Sequence, residues 1–406
     1  MPSTYAYKVR DSAGKVVEGT LEADSANLVV GKLQGMGYTP ISVEEEADNR
    51  LQMEIKIPGL TNRVRLKDLA VFSRQFATMI NSGLTLLKSL SVLEEQTESE
   101  ELGKVVREVR LDVERGSSLS VALARRPKVF NSLYVAMVKS GETSGTLDQS
   151  LERIAHTIEK QVQLRRKVIS AMTYPTMVGL FAFLITLAML IFIVPQFKDM
   201  YADLEGTLPA PTRALLAVSE FTQKYWYIWA LGGIVGAFGF RRWINSESGR
   251  QRWDTIKLRI PVFGPLVRKI ALARFSRTLA ALTRSGVPIL EALDIVAQTA
   301  GNWVVATAVR DAQTAVKGGD TLAHKLQDHE VFPPMVIQMI SVGEETGALD
   351  EMLDKIAEFY ENEVETTVDA LTSLIEPILI VIMGAIIGGM VIALYLPMFN
   401  IINLIE

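Results

Sequence analysis

The chain has 406 residues, of which 49% are hydrophobic and 22% charged, with a mean hydropathy of +0.22. It is too apolar for a disordered chain and too charged for one made only of membrane spans, so soluble domains and a few transmembrane helices are expected together. A net charge of −4 gives no global case for nucleic-acid binding. With no cysteine, disulfides, zinc–thiolate sites, iron–sulfur clusters and cysteine nucleophiles are all excluded.

Met1 to Val9 is polar and strand-like and lacks the apolar core of a signal peptide, so the N-terminal part is expected in the cytoplasm. Tyr5 to Arg10 alternates as a strand does, Ser12-Ala13-Gly14 reads as a turn, and Val16 to Leu21 returns. Ser25 opens a helix to about Met36, and Thr39 to Val43 reads as another strand. The expectation is a small α+β module at 1–48, then a linker at 49–64 around Pro58-Gly59.

A first helical bundle is expected at 65–167 and a second at 242–370. Between them, 168–197 contains no Asp, Glu, Lys or Arg and is long enough to cross a bilayer. The stretch 371–399 has an uncharged core from Ile378 to Met398 and reads the same way. A third span is expected at 223–241. Its apolar run, Tyr225 to Phe240, is short, but Tyr225, Trp226, Tyr227 and Trp229 at one end and Trp243 at the other suit the headgroup layers. An interfacial helix is the alternative for that segment. Residues 198–222 then form a loop and 400–406 a short tail.

Arg165-Arg166-Lys167 precede the first span and Arg241-Arg242 follow the second. The positive-inside rule puts both bundles in the cytoplasm, and the loop and C-terminal tail in the periplasm. No span centre carries an ionisable group, which weighs against a transporter or channel subunit.

The chain contains itself twice. Phe72-Ser-Arg-Gln-Phe-Ala-Thr-Met-Ile-Asn-Ser-Gly83 matches Phe275-Ser-Arg-Thr-Leu-Ala-Ala-Leu-Thr-Arg-Ser-Gly286. Gly141-Glu-Thr-Ser-Gly-Thr-Leu-Asp148 matches Gly343-Glu-Glu-Thr-Gly-Ala-Leu-Asp350. Val129-Phe130 matches Val331-Phe332, and the span-start proline Pro175 matches Pro377. So long a repeat is a domain duplication. Each copy is read as about five or six helices, given typical helix lengths. Gly83 and Gly286 end one helix in the left-handed cap conformation, and Thr85 or Pro288 starts the next. Gly116 and Gly319 mark another break, with Ser118 and Thr321 as N-caps. Each bundle's last helix runs into a span.

The duplicated segment holds the candidate site residues: Gly141, Glu142, Gly145, Leu147 and Asp148, and Gly343, Glu344, Gly347, Leu349 and Asp350. Two readings stand. One is a helix–turn–helix joint whose acids complement a helix start, with a capping box from Thr146 to Gln149. The other is a partner-docking surface. Glu142 with Asp148 lacks a third ligand, so no metal site is assigned. Gly232 with Gly236, and Gly384 with Gly388, are small-xxx-small pairs that let helices approach closely, either within the chain or between copies. No phosphate loop, G-x-S-x-G elbow or histidine metal motif is present, so neither a cofactor nor catalysis is expected. Residues 65–167 carry 17 basic and 13 acidic side chains, and residues 241–376 carry 15 and 19. The bundles are thus opposite in sign.

Taken together, the two repeats, the duplicated Gly-Glu-x-x-Gly-x-Leu-Asp, three spans and the small N-terminal module resemble the inner-membrane platform proteins of type II secretion and type IV pilus systems, the GspF/PilC family. The resemblance runs from Tyr5 to Pro397. It implies a non-enzymatic, multi-pass protein of the bacterial inner membrane. The implied partners are a cytoplasmic hexameric ATPase, prepilins or pseudopilins, other inner-membrane assembly proteins, membrane lipid and further copies of itself. Glu376 stands where the first copy has Tyr174, which implies that the halves do not perform identical roles. A membrane-anchored signalling adaptor is the competing reading. It accounts for the repeats but not for a span leaving each one.

Overall fold

The computed structural model describes residues 3–10, 16–23, 26–45, 64–197 and 208–405. They fall into two units, residues 1–63 and 64–406. The expected turn at Ser12 to Gly14, Ser25, and the linker as far as residue 63 lie outside the described residues.

In the first unit, β1 (Ser3–Arg10) and β2 (Val16–Ala23) pair antiparallel, with Tyr5 opposite Leu21 and Val9 opposite Val17. Helix α1 (Ala26–Gly35) precedes β3 (Thr39–Glu45), which pairs with the other edge of β1. The sheet order is β2-β1-β3. Alternate residues of a strand share one face, so Tyr5 and Val9 point the same way and close over Val29 and Leu33 of the helix.

The second unit is helical throughout its described residues. The first copy comprises α2 (Leu66–Asn81), α3 (Leu86–Gln96), α4 (Glu100–Glu114), α5 (Leu119–Ala124), α6 (Ser132–Ser144) and α7 (Leu147–Ala188). Apolar residues at helical spacing explain the packing. Phe72 and Phe76 of α2 are buried against Phe130 and Tyr134. In the second copy the equivalent rings, Phe275 and Phe332, meet edge to face at 5.1 Å.

Helix α7 continues through a π-helical turn (Met189–Ile193) to Phe197, 51 residues from Leu147. Helix α8 (Ala210–Asn245) follows. The second copy comprises α9 (Glu247–Arg259), α10 (Phe263–Arg284), α11 (Ile289–Thr299), α12 (Trp303–Lys317), α13 (Leu322–Leu326), α14 (Pro334–Thr346) and α15 (Leu349–Ile405). It thus has one helix more than expected, because α9 occupies the stretch between α8 and the repeat. Buried residues of both copies join in one hydrophobic core.

Several local expectations change. The segment 198–222 is not loop throughout. Helix α8 begins at Ala210, since Pro209 and Pro211 suit a first turn that needs no N–H there. The stretch 400–406 is helical as far as Ile405. Pro175 and Pro377, expected at the span starts, stand inside the long helices that run on from each bundle. Pro288 takes the N-cap position and Ile289 the first turn.

Two helices, Leu147–Phe197 and Leu349–Phe399, are long and apolar enough to cross a membrane. Phe181, Phe183, Ile380 and Val381 are among their many exposed apolar side chains. So large an exposed apolar surface calls for a non-aqueous surrounding. Helix α8 leaves helical geometry at Tyr225 (φ −118°, ψ 19°). Before that point its Leu216 packs with Val194 and Leu394. Beyond it, Trp226 to Trp243 carries no buried side chain among the described residues.

Candidate functional site: the duplicated motif and the cleft between the bundles

The two Gly-Glu-x-x-Gly-x-Leu-Asp segments form the joints α6–α7 and α14–α15. Gly145 and Gly347 cap α6 and α14 in the left-handed conformation, at φ 73° and 74°. Gly141 and Gly343 lie in the last turns, where a Cβ would strike Ser150 or Leu349. Leu147 and Leu349 pack on the core. Asp148 and Asp350 sit in the first turns of the long helices, where the dipole favours a carboxylate.

The glutamates do complement a helix start, but of a helix earlier in the chain. Glu142 accepts the backbone N–H groups of Leu119 and Ser120 at 2.6 and 3.0 Å, and the Ser120 hydroxyl at 2.5 Å. Glu344 accepts those of Leu322 and Ala323 at 2.7 and 2.9 Å. Each carboxylate thus satisfies the free donors of a short helix, α5 or α13. The first turn of α5 is therefore served without the Ser118 hydroxyl, which makes no cap and lies 3.3 Å from that of Ser120. Thr321 does cap, accepting from His324 N–H at 3.2 Å. The expected capping box at Thr146 does not form; its hydroxyl lies 2.7 Å from that of Ser144. The joint reading therefore accounts for the motif's contacts residue by residue.

A second duplicated constellation escaped the sequence reading. Arg74 grips Glu159 with two nitrogens at 2.7 and 2.6 Å and also meets Glu152. Arg277 grips Glu361 at 2.9 and 3.0 Å and also meets Asp354. A planar guanidinium facing a carboxylate in this way is geometrically specific. Each fork ties the copy's first long helix to its last. The signal was present: the arginine belongs to both copies of Phe-Ser-Arg, and both acids recur seven residues apart. Hydrogen bonds to Glu159 raise Arg74 above the usual arginine range, and Arg74 holds Glu159 below the usual carboxylate range.

The bundles meet along α7, α10 and α15. Ser140 donates to the Ser285 carbonyl at 2.5 Å, in the Ser285-Gly286 turn, and Arg153 bonds the neighbouring Arg284 carbonyl. Gly286 has φ 75°, and Gly83, at φ 85°, makes the same turn in the first copy. Lys167 pairs with Glu365. His156 stands in a cleft with Arg277 and Asp354. Burial first, then Arg277 and Lys160, lower its pKa.

At the other end of the unit, the three long helices are joined through backbone carbonyls. Pro397 has no N–H for the carbonyl of Ala393, and the Thr212 hydroxyl donates to that carbonyl at 2.5 Å. Ser219 donates to the carbonyl of Leu190 in the π-helical turn, also at 2.5 Å. The glycine pairs behave otherwise. Among the described residues, a Cβ at Gly232, Gly236, Gly384 or Gly388 would find nothing within 4 Å, so the pairs bring none of the described helices together. Among the described residues, no group of three or more histidine or acidic side chains is placed to hold a metal ion.

The architecture defines a class: tandem homologous helical bundles, each continued by one apolar helix. The family described as Type II secretion system (T2SS), protein F matches residues 72–195 and again 275–397. The Type II secretion system protein F, N-terminal domain, matches residues 1–44. The type IV pilus assembly protein PilC of Thermus thermophilus is 46% identical over 400 residues, covering 98% of each chain. The PilC of Myxococcus xanthus is 41% identical over 403 residues, 99% of this chain and 96% of that one. Type II secretion system protein F of Pseudomonas aeruginosa is 33% identical over 403 residues, 99% of this chain and all of that one. The chain belongs to the type II secretion system protein F family.

Proposed function

We propose that this protein is a non-enzymatic inner-membrane assembly platform that couples a cytoplasmic ATPase to the insertion or extraction of pilin subunits. The observation that carries this reading is end-to-end similarity to assembly proteins, with both repeats matched. Identity of 46% and 41% to type IV pilus assembly proteins, against 33% to a type II secretion protein, favours a pilus over a secretion pseudopilus. The nucleotide then belongs to the partner, because this sequence carries no phosphate loop.

The two bundles form the cytoplasmic, ATPase-facing surface, and the apolar helices face pilin helices, lipid and further copies of the chain. The small N-terminal module lies on the same cytoplasmic side. Three spans are assigned: the apolar ends of α7 and α15, and α8 beyond Tyr225. Exposed Ile228, Leu231, Ile234, Val235 and Phe238 support the last of these, with aromatic residues at both ends. The exposed glycine pairs suit contact with helices of other subunits.

Deletion of the gene, scored for surface filaments and for secreted proteins, tests the function. Loss of filaments, restored by the wild-type copy, supports the pilus reading. Trapped exoproteins with intact filaments move the protein to secretion, and no change in either defeats the platform reading. Reporter fusions after residue 205 and after residue 245 test the topology, which requires opposite sides of the membrane.

A further inference from the structure

A cavity of about 410 Å³ opens between α7 and α10, within the roughly 300–1,000 Å³ of small-molecule sites. Lys160 and Arg165 line it from α7 and Arg274 from α10. Among the described residues, no acidic group lies within ion-pair distance of these three. Their neighbours differ: Lys167 is paired with Glu365, and Arg277 with Asp354 and Glu361. Arg274 is exposed to water on one side, while its guanidinium lies close against Gly301 on another. Burial first, then repulsion from Arg165, holds its guanidinium below the usual arginine range. Three uncompensated cations around one cavity call for an anion.

Glu361 also lines the cavity but is held by Arg277, and the wall next to the three cations is apolar, from Leu164, Val168 and Ile270. Val168 is the first residue of the uncharged stretch of α7. The cavity therefore joins a cationic rim to the start of a membrane span. The second copy has no counterpart: Asn362 and Thr367 stand where the first has Lys160 and Arg165, and Val71 corresponds to Arg274. A contact needed only to build the fold would be expected in both copies.

We propose that this cleft binds the phosphate headgroup of an anionic phospholipid, with the acyl chains running along the apolar wall onto α7. This rests on the reading of α7 as a membrane span that begins at Val168. The chemistry is that of basic pockets beside membrane helices at the cytoplasmic face. A free phosphate would satisfy the cations but leave the apolar wall uncovered.

The test uses the full-length protein, delipidated in neutral detergent and titrated with dioleoylphosphatidylglycerol, dioleoylphosphatidylcholine or inorganic phosphate. Native mass spectrometry counts the bound molecules. One phosphatidylglycerol per chain is expected to be retained in preference to phosphatidylcholine. The double variant Arg165→Gln with Arg274→Gln should weaken that retention about 30-fold, at about fivefold per charge. The double lysine variant should keep it, as should Arg115→Gln, an exposed arginine outside the cavity. Removing like charges that repel each other leaves the fold intact, which circular dichroism checks.

Equal retention of both lipids, or equal retention by wild type and the double glutamine variant, overturns the proposal. Full displacement of the lipid by millimolar phosphate overturns the lipid assignment as well. Flotation with phosphatidylcholine vesicles separates the two readings. If the protein does not float, the membrane reading fails. If it floats without preferring phosphatidylglycerol, only the headgroup site falls.

Discussion

The two copies of the bundle share their connections but not their surroundings. The arginine fork recurs with each partner at the equivalent position, yet Arg277 is 7% exposed and Arg74 36%. The second copy is enclosed because α10 begins earlier than α2 and lies against α7 of the first bundle as well as its own α15. The long helices have diverged in charge. From Leu147 to Lys167, α7 carries five basic and three acidic residues, whereas α15 from Leu349 to Glu376 carries one basic and nine acidic. Duplication thus preserved the contacts that build each bundle and released the surfaces. One surface difference became the attraction between the long helices, seen at Lys167 and Glu365.

The forks offer the largest expected contrast. Arg277→Ala strands two acids in a mostly buried setting and should destabilise the second bundle by about 3 kcal/mol. Arg74→Ala, half open to water, should cost about 1 kcal/mol. Hydrogen exchange in α10 and α2 of the detergent-solubilised protein reads each local opening. Equal losses would mean that enclosure does not set the difference.

The duplicated glutamates should behave alike. Glu142→Gln and Glu344→Gln each weaken two charge-assisted bonds to a helix start, at about 1.5 kcal/mol per copy. Hydrogen exchange of α5 and α13 measures both. Filament assembly scored alongside sharpens the comparison. If one variant abolishes filaments while its bundle stays folded, that copy of the motif also contacts a partner.

A smaller contrast lies inside the cores. The Ser73 hydroxyl donates to the Leu69 carbonyl at 2.7 Å and also meets the Tyr134 hydroxyl. Its counterpart Ser276 has no partner among the described residues, because Val336 replaces the tyrosine. Ser73→Ala should cost about 1 kcal/mol, and Ser276→Ala should be neutral or stabilising. Thermal unfolding of the two variants beside wild type decides this.

The smallest effect concerns a pair found only in the second copy. His324 Nδ1 lies 2.9 Å from the Asp320 carboxylate, where the first copy has Val121 and Ser117. The carboxylate raises the histidine pKa, and the histidine lowers that of the aspartate. The histidine contribution is complete below the ordinary imidazole pKa and fades as pH rises through the raised value. The aspartate contribution is lost as pH falls through its lowered value. Asp320→Asn should return His324 to the ordinary imidazole range, as followed by NMR of the ring protons. An unchanged titration would remove the pair from the comparison.

Much of the helical framework was legible because it rests on local chemistry. Gly83, Gly145, Gly286 and Gly347 adopt positive φ, as turns written into the chain require. The apolar runs of α7 and α15 declared their length, and the repeated Gly-Glu-x-x-Gly marked two joints. The duty of Glu142 was only half legible. A carboxylate near a helix start was inferred, but the start lies 22 and 23 residues back in the chain. Periodicity does not report contacts at that separation. The forks were hidden for the same reason, since Arg74 and Glu159 are 85 residues apart. Nor did sequence reveal that α8 leaves helical geometry at Tyr225, or that its glycines meet no other described residue within 4 Å.

The sequence by itself therefore determined the duplication, the helical breaks and the apolar helices, because glycine conformation, hydrophobic period and run length act over a few residues. Only the tertiary structure decided which carboxylate serves which helix, which arginine becomes enclosed, and which cations remain unpaired in the cleft. Those outcomes depend on how far each group is removed from water and on what distant chain then reaches it.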